Sequence, residues 1–307
     1  MKRTNIISTA ALVALAAGTA HADFILSIDS NSDRVMILDA FDGSVINDNF
    51  LDIGAAASAI GVSSTPIEVV DTGSEFWVSD QVGDRIWRYS HSGALLGNFG
   101  GDGDLNNIRG MHRVGNTMYV AMGSNSDNFS EGIVSIDTTT RNINGVFLDR
   151  PGTDVSYFDI VSVGNELLVT NIDSGNDGIE RYSLDGTYLG NLVTSDGVSS
   201  VDFPQQMYIR DNGNILVGGF SPPSGVHEFA ADGTALGIVA GLDFGPRGAI
   251  DLGNGEILWG NGTWLRTDDR IILEGVSTRF FTRTTIPSPS ALALLGLGGL
   301  VSTRRRR

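Results

Sequence analysis

The chain has 307 residues, with no cysteine, 40 glycines and only 8 prolines. Without cysteine it forms neither disulfides nor thiolate metal sites, so packing and backbone pairing must stabilise the fold. All 36 acidic residues lie between residues 23 and 283, whereas six of the 20 basic residues lie outside that stretch, which leaves it with a net charge of about −22. Such a charge repels nucleic acid and anionic lipid, and no basic patch with interleaved aromatic residues is present, so nucleic-acid binding is excluded.

Residues 1–22 have the pattern of a secretory signal peptide. Two basic residues precede an apolar stretch at residues 6–17, and Ala20 and Ala22 match the small-residue cleavage pattern. Cleavage after Ala22 by signal peptidase would release a mature protein that begins at residue 23. An N-terminal anchor that stays in place is the alternative. The pattern therefore predicts an exported protein.

The stretch from residue 24 to residue 284 consists of short runs rich in Val, Ile, Phe and Tyr, bounded by Asp, Asn and Gly. This is the pattern of strands and tight turns. Six segments align on their most apolar strand, at spacings of 52, 42, 49, 48 and 42 residues, which is the period of a propeller blade. In chain order these strands are FILSID at 24, FWVSD at 76, MYVAM at 118, LLVTN at 167, ILVGG at 215 and ILWGN at 257.

Each of these strands is followed by a second strand and, in several repeats, by a third, and Asp-Gly pairs at the turns supply the positive φ that tight hairpins need. Five groups are preceded by a further strand, near residues 66, 108, 157, 205 and 247, but the first group lacks one. One strand, TRFFTRT at 278–284, remains. We predict an all-β fold over residues 23–285, a six-bladed β-propeller with four strands per blade, in which the C-terminal strand completes the first blade. We expect a monomer.

The repeat resembles the six-bladed propellers of the NHL and SMP-30-like families, as in WVSDQVGDRIWRYSHSGALLGNFG at 77–100. The resemblance implies that the innermost strand of each blade lines a central channel in which ligands and metals are commonly bound. The polar residues of these strands are therefore the candidate channel-lining residues. They are Glu68, Arg109, His112, Asp159, Gln205, Gln206 and Arg247.

A divalent cation is one candidate occupant of this channel. SMP-30-like lactonases hold such a cation with carboxylate and amide oxygens, which suit a hard ion such as Ca²⁺. Glu68 and Asp159 occupy similar blade positions and would be its ligands here. The alternative is that no cofactor is bound and that these carboxylates pair with Arg109 and Arg247 across a narrow, water-filled channel.

Two other kinds of active site are not supported. The sequence has no G-x-S-x-G nucleophile elbow, and its three histidines beyond residue 22 fall on different strand types. We therefore expect a non-catalytic binding or structural module with a glycan or protein ligand at a face formed by blade loops. A metal-dependent hydrolase or lactonase of the SMP-30 type, using the central channel, is the alternative.

The last 22 residues combine a Pro287-Ser288-Pro289 turn, an apolar run of 11 residues at 291–301 and a basic end. The run is about half the ~20 residues that a helix needs to span a bilayer, and arginines stop translocation. The basic end consists of Arg304, Arg305, Arg306 and Arg307.

This order resembles the PEP-CTERM sorting signal of bacterial surface proteins, which exosortase-type membrane peptidases process, although Ser288 stands where that motif has glutamate. The resemblance implies transient membrane insertion of residues 286–307, cleavage, and a location at the cell surface or outer envelope or outside the cell. An ordinary C-terminal anchor or a helix packed on the body is the alternative.

Overall fold

The structure is a computed structural model that describes residues 23–148 and 155–285. The proposed signal peptide at 1–22 and the proposed sorting signal at 286–307 lie outside the described residues. Within the described residues, 24 strands form six antiparallel sheets of four strands each. The predicted six-bladed β-propeller is confirmed.

The strands are numbered in chain order. Blade 1 contains β1 (Phe24–Asp29), β2 (Arg34–Asp39) and β3 (Val45–Asp52). Blade 2 contains β4 (Pro66–Asp71), β5 (Phe76–Asp80), β6 (Arg85–Tyr89) and β7 (Leu95–Phe99), and blade 3 contains β8 (Ile108–Val114), β9 (Thr117–Met122), β10 (Gly132–Asp137) and β11 (Ile143–Leu148). Blade 4 contains β12 (Tyr157–Val163), β13 (Glu166–Asn171), β14 (Gly178–Ser183) and β15 (Tyr188–Thr194). Blade 5 contains β16 (Asp202–Ile209), β17 (Ile215–Ser221), β18 (Gly225–Phe229) and β19 (Ala235–Ala240). Blade 6 contains β20 (Gly248–Asp251), β21 (Ile257–Gly260), β22 (Trp264–Arg266) and β23 (Ile271–Glu274), and β24 (Thr278–Thr284) follows it.

The ring closes through β24, which is the innermost strand of blade 1. It pairs antiparallel with β1, from Phe24 opposite Thr284 to Asp29 opposite Thr278. Phe280 and Phe281 of this strand are buried. The predicted closure by the C-terminal strand is therefore confirmed.

One element has no counterpart in the prediction. Helix α1 (Ile53–Ala59) connects blades 1 and 2, and its N-terminus is capped by Asp52, whose Oδ1 accepts a hydrogen bond from the Ala55 amide at 2.7 Å. An Asp side chain at this position satisfies an amide that the helix itself leaves free. Among the described residues, no helix is long and apolar enough to cross a membrane.

The hydrophobic core lies between neighbouring blades. Trp77 of blade 2 packs in one cluster with Met118 of blade 3, and Leu216 of blade 5 packs in another with Trp259 of blade 6. Burying such side chains stabilises a fold by about 1.5–3 kcal/mol each. Each blade thus depends on its neighbours, as the periodic apolar strands predicted.

The Asp or Asn that ends several of these apolar strands has a structural role. The Oδ1 atoms of Asp29, Asp80 and Asn171 accept hydrogen bonds of 3.0, 2.7 and 2.9 Å from backbone amides just before the innermost strand of the same blade. Because the side chain replaces a missing backbone partner, it fixes the start of that strand. These hydrogen bonds lie at the end of the ring at which the innermost strands begin.

Candidate functional site

The innermost strands share an irregularity. In β4, β8, β12, β16 and β24 two residues stand opposite one residue of the neighbouring strand, which is a β-bulge. A bulge bends the strand and re-aims its side chains. The bulged pairs are Ile67-Glu68, Arg109-Gly110, Phe158-Asp159, Gln205-Gln206 and Arg279-Phe280, and Arg247-Gly248 stand at the corresponding place in blade 6.

Glu68 and Asp159, the second residues of their pairs, form what we call the axial carboxyl pair. Glu68 Oε2 accepts the Met111 amide at 2.5 Å, and Asp159 Oδ2 accepts the Met207 amide at 2.6 Å. Each carboxyl group therefore ties its own blade to the next one. A Cβ atom on Gly110 would lie 2.6 Å from Asp159 Oδ1, so the absence of a side chain there makes room for the Asp159 carboxyl group.

Burial changes the ionisation of both groups. It raises the pKa of Glu68 well above its ordinary value, and the charge of Asp159 raises it further. Burial also raises the pKa of Asp159 to about 7, against the opposing effect of its amide hydrogen bonds. Among the described residues, Asp159 Oδ1 has no hydrogen-bond partner. Since two buried like charges destabilise each other, the pair holds a proton near neutral pH.

The axis of the ring is filled at this level. The side-chain amide of Gln206 makes two hydrogen bonds to the backbone of Phe281. Gln206 Nε2 donates to the Phe281 carbonyl at 2.6 Å, and Gln206 Oε1 accepts the Phe281 amide at 3.0 Å. Ile67, Phe158 and Phe280 form a buried apolar cluster. The space expected to be a water-filled channel is therefore occupied by side chains at this level, where Phe158 of blade 4 and Phe280 of blade 1 meet with ring centres 5.8 Å apart.

The expected pairing of Glu68 and Asp159 with Arg109 and Arg247 is not found: no ion pair among the described residues joins them. The donor set also does not fit a resident cation. No group of three or more His, Cys, Asp or Glu residues in the described ranges could hold a metal. Two carboxylates that each already accept an amide leave too few oxygens for Ca²⁺, which takes about 6–8.

Two further candidates, His112 and Gln205, differ in their side-chain contacts. His112 lies towards the far end of β8, where its Nε2 is 2.8 Å from Ser162 Oγ and accepts the Ser162 amide at 3.1 Å. Burial lowers the pKa of His112 to about 4, so its ring is neutral. Gln205 is buried, and its Oε1 has no partner among the described residues.

Three arginines occupy the first position of the bulged pairs, at the end of the ring where the innermost strands begin. We call Arg109, Arg247 and Arg279 the arginine mouth. Arg109 Nη1 donates to Ser156 Oγ at 2.9 Å and to the Tyr157 carbonyl at 2.8 Å. All its hydrogen bonds among the described residues thus go to neutral groups.

Arg247 and Arg279 are joined by hydroxyl groups. Arg247 Nη1 donates to Ser277 Oγ at 2.9 Å, and Arg279 Nε donates to Ser30 Oγ at 3.0 Å. The two hydroxyls are themselves hydrogen-bonded at 3.0 Å. The two guanidinium groups therefore stand at either end of a short neutral bridge.

The charges of the arginine mouth have no ion-pair partner among the described residues, although the charge of Glu131 raises the pKa of Arg109 against the effect of burial. Among the described residues, no carboxylate lies within ion-pair distance of these three side chains. Burial lowers the pKa of Arg109 and of Arg279 to about 10, in Arg279 with a contribution from the charge of Arg247, and it lowers the pKa of Arg247 as well. The Nε atoms of Arg109 and Arg247 are buried without a partner in the described part of the chain.

Phenylalanine rings connect the arginines. The guanidinium carbon of Arg109 lies 5.0 Å from the ring centre of Phe158, and that of Arg247 lies 5.4 Å from Phe220. Phe203 stands between those rings, 6.3 Å from Phe158 and 5.7 Å from Phe220. Because Phe220 is 40% exposed, this row of three rings runs from the filled axis to the surface.

Reasoning from sequence found Arg109 and Arg247 but missed Arg279, Phe203 and Phe220. The signal for Arg279 was present, since it precedes Phe280 as Arg109 precedes Gly110 in an aligned strand. Phe220 follows the predicted strand ILVGG directly and lies within β17, so from sequence it looks like an ordinary strand residue.

No protein-family model and no curated protein sequence matches the chain. Solved structures do match in fold. The structure of a nidogen/laminin complex has a chain with TM-score 0.62 and 15% identity, over 85% of this chain and 98% of that one. A catalytically inactive variant of virginiamycin B lyase from Staphylococcus aureus, solved with quinupristin, has TM-score 0.51 and 13% identity, over 75% and 73% of the two chains. A streptogramin B lyase has TM-score 0.50 and 12% identity, over 74% and 70%.

Proposed function

We propose that this protein is an exported, surface-sorted β-propeller that binds its ligand without catalysis, on the face that contains the arginine mouth. That face is formed by the loops between blades and by the hairpins between the second and third strands of each blade. Both binding proteins and enzymes occur among the structures that share this fold, so the fold does not decide between them. The proposal depends on which side chains are accessible.

The observation that carries the proposal is an accessible aromatic strip beside the arginine mouth. Phe220 and Phe244 are 40% and 44% exposed, and the ring centre of Trp264 lies 5.7 Å from that of Phe244. Exposed aromatic rings in a cluster offer large, rigid contact area at low entropic cost and mark interaction sites. The acidic groups that suggested catalysis are instead buried on the axis, at 8% and 1% exposure for Glu68 and Asp159.

Export and sorting complete the proposal. A signal peptidase would cleave after Ala22, and an exosortase-like peptidase would act near Pro287-Ser288-Pro289. The acidic body would remain soluble at the surface because its net charge opposes self-association. The proposed ligand is a glycan or a protein that meets the aromatic strip.

The test is titration of the purified protein with acidic and neutral oligosaccharides by calorimetry. We expect the double variant Phe220→Ala, Phe244→Ala to weaken binding about tenfold or more, since the few aromatic residues that anchor an interface cost about 2 kcal/mol or more when truncated. Phe41→Ala is the matched control, because Phe41 is 64% exposed in the loop between β2 and β3, on the opposite face. Equal losses in both variants would refute the assignment of the face.

The alternative function, a metal-dependent hydrolase or lactonase, needs a cation held by Glu68 and Asp159. It is tested by metal analysis after dialysis and by lactone hydrolysis with and without chelator, for the wild type and for Glu68→Gln. We expect no stoichiometric metal and no hydrolysis. A retained cation with activity that chelation abolishes would replace the binding function with the catalytic one.

A further inference from the structure

Three features could carry a site beyond the aromatic strip: an acidic loop cluster around Asp177 and Asp202, the axial carboxyl pair, and the arginine mouth. The acidic loop cluster lacks a third ligand, since no group of three or more His, Cys, Asp or Glu residues among the described residues could hold a metal ion. The axial pair is enclosed by the apolar cluster. The arginine mouth is different, because it holds positive charge that the described protein does not neutralise.

We propose that the arginine mouth binds a carboxylate attached to a ring, with the carboxylate between Arg247 and Arg279 and the ring on Phe203 and Phe220. This inference rests on the proposed function and names the class of its ligand. The two possible sources of such a group are an acidic sugar and an aromatic acid. Both present the same planar anion beside a ring face.

The first support is the number of free donors. A guanidinium group has five N–H donors. Among the hydrogen bonds of the described residues, Arg247 uses Nη1 alone and Arg279 uses Nε alone. The remaining donors lie in a fork geometry that matches the two oxygens of a carboxylate. A bound anion would satisfy them.

The second support is electrostatic. Neighbouring cations repel each other, and here the charge of Arg247 lowers the pKa of Arg279 in addition to the effect of burial. Keeping such charges partly buried and unpaired destabilises the free protein. Two other half-buried arginines pair with carboxylates, Arg88 with Glu75 and Arg210 with Glu228 and Asp251. Arg247 and Arg279 have no such partner among the described residues, and the charge of Arg247 acts on Arg279.

The third support is backbone strain at the ring-binding position. Phe203 has φ 49, in the left-handed region, and so do Asn107 and Gly245 at the corresponding positions of blades 3 and 6, with φ 51 and φ 60. Glycine and asparagine tolerate this region, whereas a phenylalanine there costs about 1–3 kcal/mol. The strain is retained where it holds a ring between Phe158 and Phe220.

The test measures binding of glucuronate and phenylacetate, each against its neutral counterpart, glucose or 2-phenylethanol, with acetate and inorganic phosphate as ring-free anions. We expect both ring carboxylates to bind more tightly than their counterparts and than the ring-free anions. The tighter of the two identifies the source. Affinity should fall as salt rises, since the contact is between charges.

Variants locate the site. Arg247→Gln and Arg279→Gln should each weaken binding of the ring carboxylates about tenfold or more, because each removes a charged hydrogen bond. Arg113→Gln is the matched control, since Arg113 lies on the same strand as Arg109, towards its far end, and bonds the Gly115 carbonyl. The melting temperature of the two mouth variants should stay level or rise, because each removes an unpaired cation. Unchanged binding of the ring carboxylates by both variants would refute the assignment, and a lowered melting temperature would contradict the unpaired state of the two cations.

Phe203→Asn separates ring contact from strain. Asparagine tolerates the left-handed backbone, so the variant should keep its fold and bind ring carboxylates as weakly as it binds acetate. Binding of phenylacetate at the wild-type level would overturn the inference. Equal binding of glucose and glucuronate at the aromatic strip would also overturn it but leave the proposed function intact. Failure of every ring compound to bind would overturn the inference, whereas the proposed function is decided by the oligosaccharide titration with the Phe220→Ala, Phe244→Ala variant.

Discussion

At the scale of single residues, the burial of Glu68 and Asp159 links the stability of the fold to the protonation of their carboxyl groups. Each places one oxygen on a backbone amide of the next blade, and the carboxyl group of Asp159 lies beside Gly110. An ionised carboxylate in such a place lacks water to stabilise its charge. The free energy of unfolding should therefore depend on whether the pair is protonated.

We predict that Glu68→Gln stabilises the protein at pH 8 by about 1–3 kcal/mol and has little effect at pH 5. Because the pKa of Glu68 is raised in the folded state and that of Asp159 is raised to about 7, the folded protein binds protons more tightly than the unfolded chain. The stability from this proton is present below the unfolded pKa and is lost as pH rises through the folded pKa. Glutamine keeps an oxygen for the Met111 amide but needs no proton.

Urea unfolding at pH 5 and pH 8 checks this, with Glu166→Gln as the control. Arg181 lowers the pKa of Glu166, so that variant should lose stability at pH 8 rather than gain it. The loss should be small, since the pair is on the surface. A Glu68→Gln effect of the same size at both pH values would show that the axial pair does not titrate.

At the scale of elements, the closing strand β24 is held on two sides. It pairs with β1, and the side chain of Gln206 in β16 forms hydrogen bonds to the backbone amide and carbonyl of Phe281. Phe280 lies in the axial apolar cluster with Ile67 and Phe158. Loss of this strand would expose the edge of β1 and open the axis at once.

We predict that ending the chain after Gly275 abolishes the cooperative thermal transition, whereas ending it after Thr285 shifts the melting temperature by less than about 2 °C. The first truncation removes the innermost strand of blade 1, and the second keeps every residue of β24. Differential scanning calorimetry of both truncations against the full chain makes the measurement. Similar transitions in the two truncations would mean that closure does not hold the ring together.

The sequence predicted the strands well because each blade repeats an apolar strand and its turns, as at Phe24 and Phe76. It did not predict α1, whose seven residues are too few to show a helical period. The bulges were also missed, because an extra residue within an apolar strand leaves the composition unchanged. The bulges decide which side chains meet on the axis, so the candidate residues were found but several of their contacts were not.

At the scale of the whole molecule, charge is distributed unevenly. The stretch from residue 23 to residue 283 has 36 acidic residues, yet the arginine mouth concentrates positive charge at one end of the ring axis. An acidic body repels most anions, so the mouth would admit those that its guanidinium groups and rings can both contact. The proposed signal peptide and the proposed sorting signal would place this face outside the cell.

The last prediction concerns those signals. We predict that the mature protein begins at Asp23 and ends near Pro287-Ser288-Pro289, because the proposed signal peptide would be removed and the four terminal arginines would hold the proposed sorting signal in the membrane for cleavage. Intact-mass measurement of the protein from the cell surface and from the medium tests both ends. Replacing residues 304–307 by glutamine should change retention, since the charge that stops translocation is gone, whereas Arg283→Gln, a control within β24, should not. A cytoplasmic protein that keeps Arg307 would overturn the proposal of export and sorting.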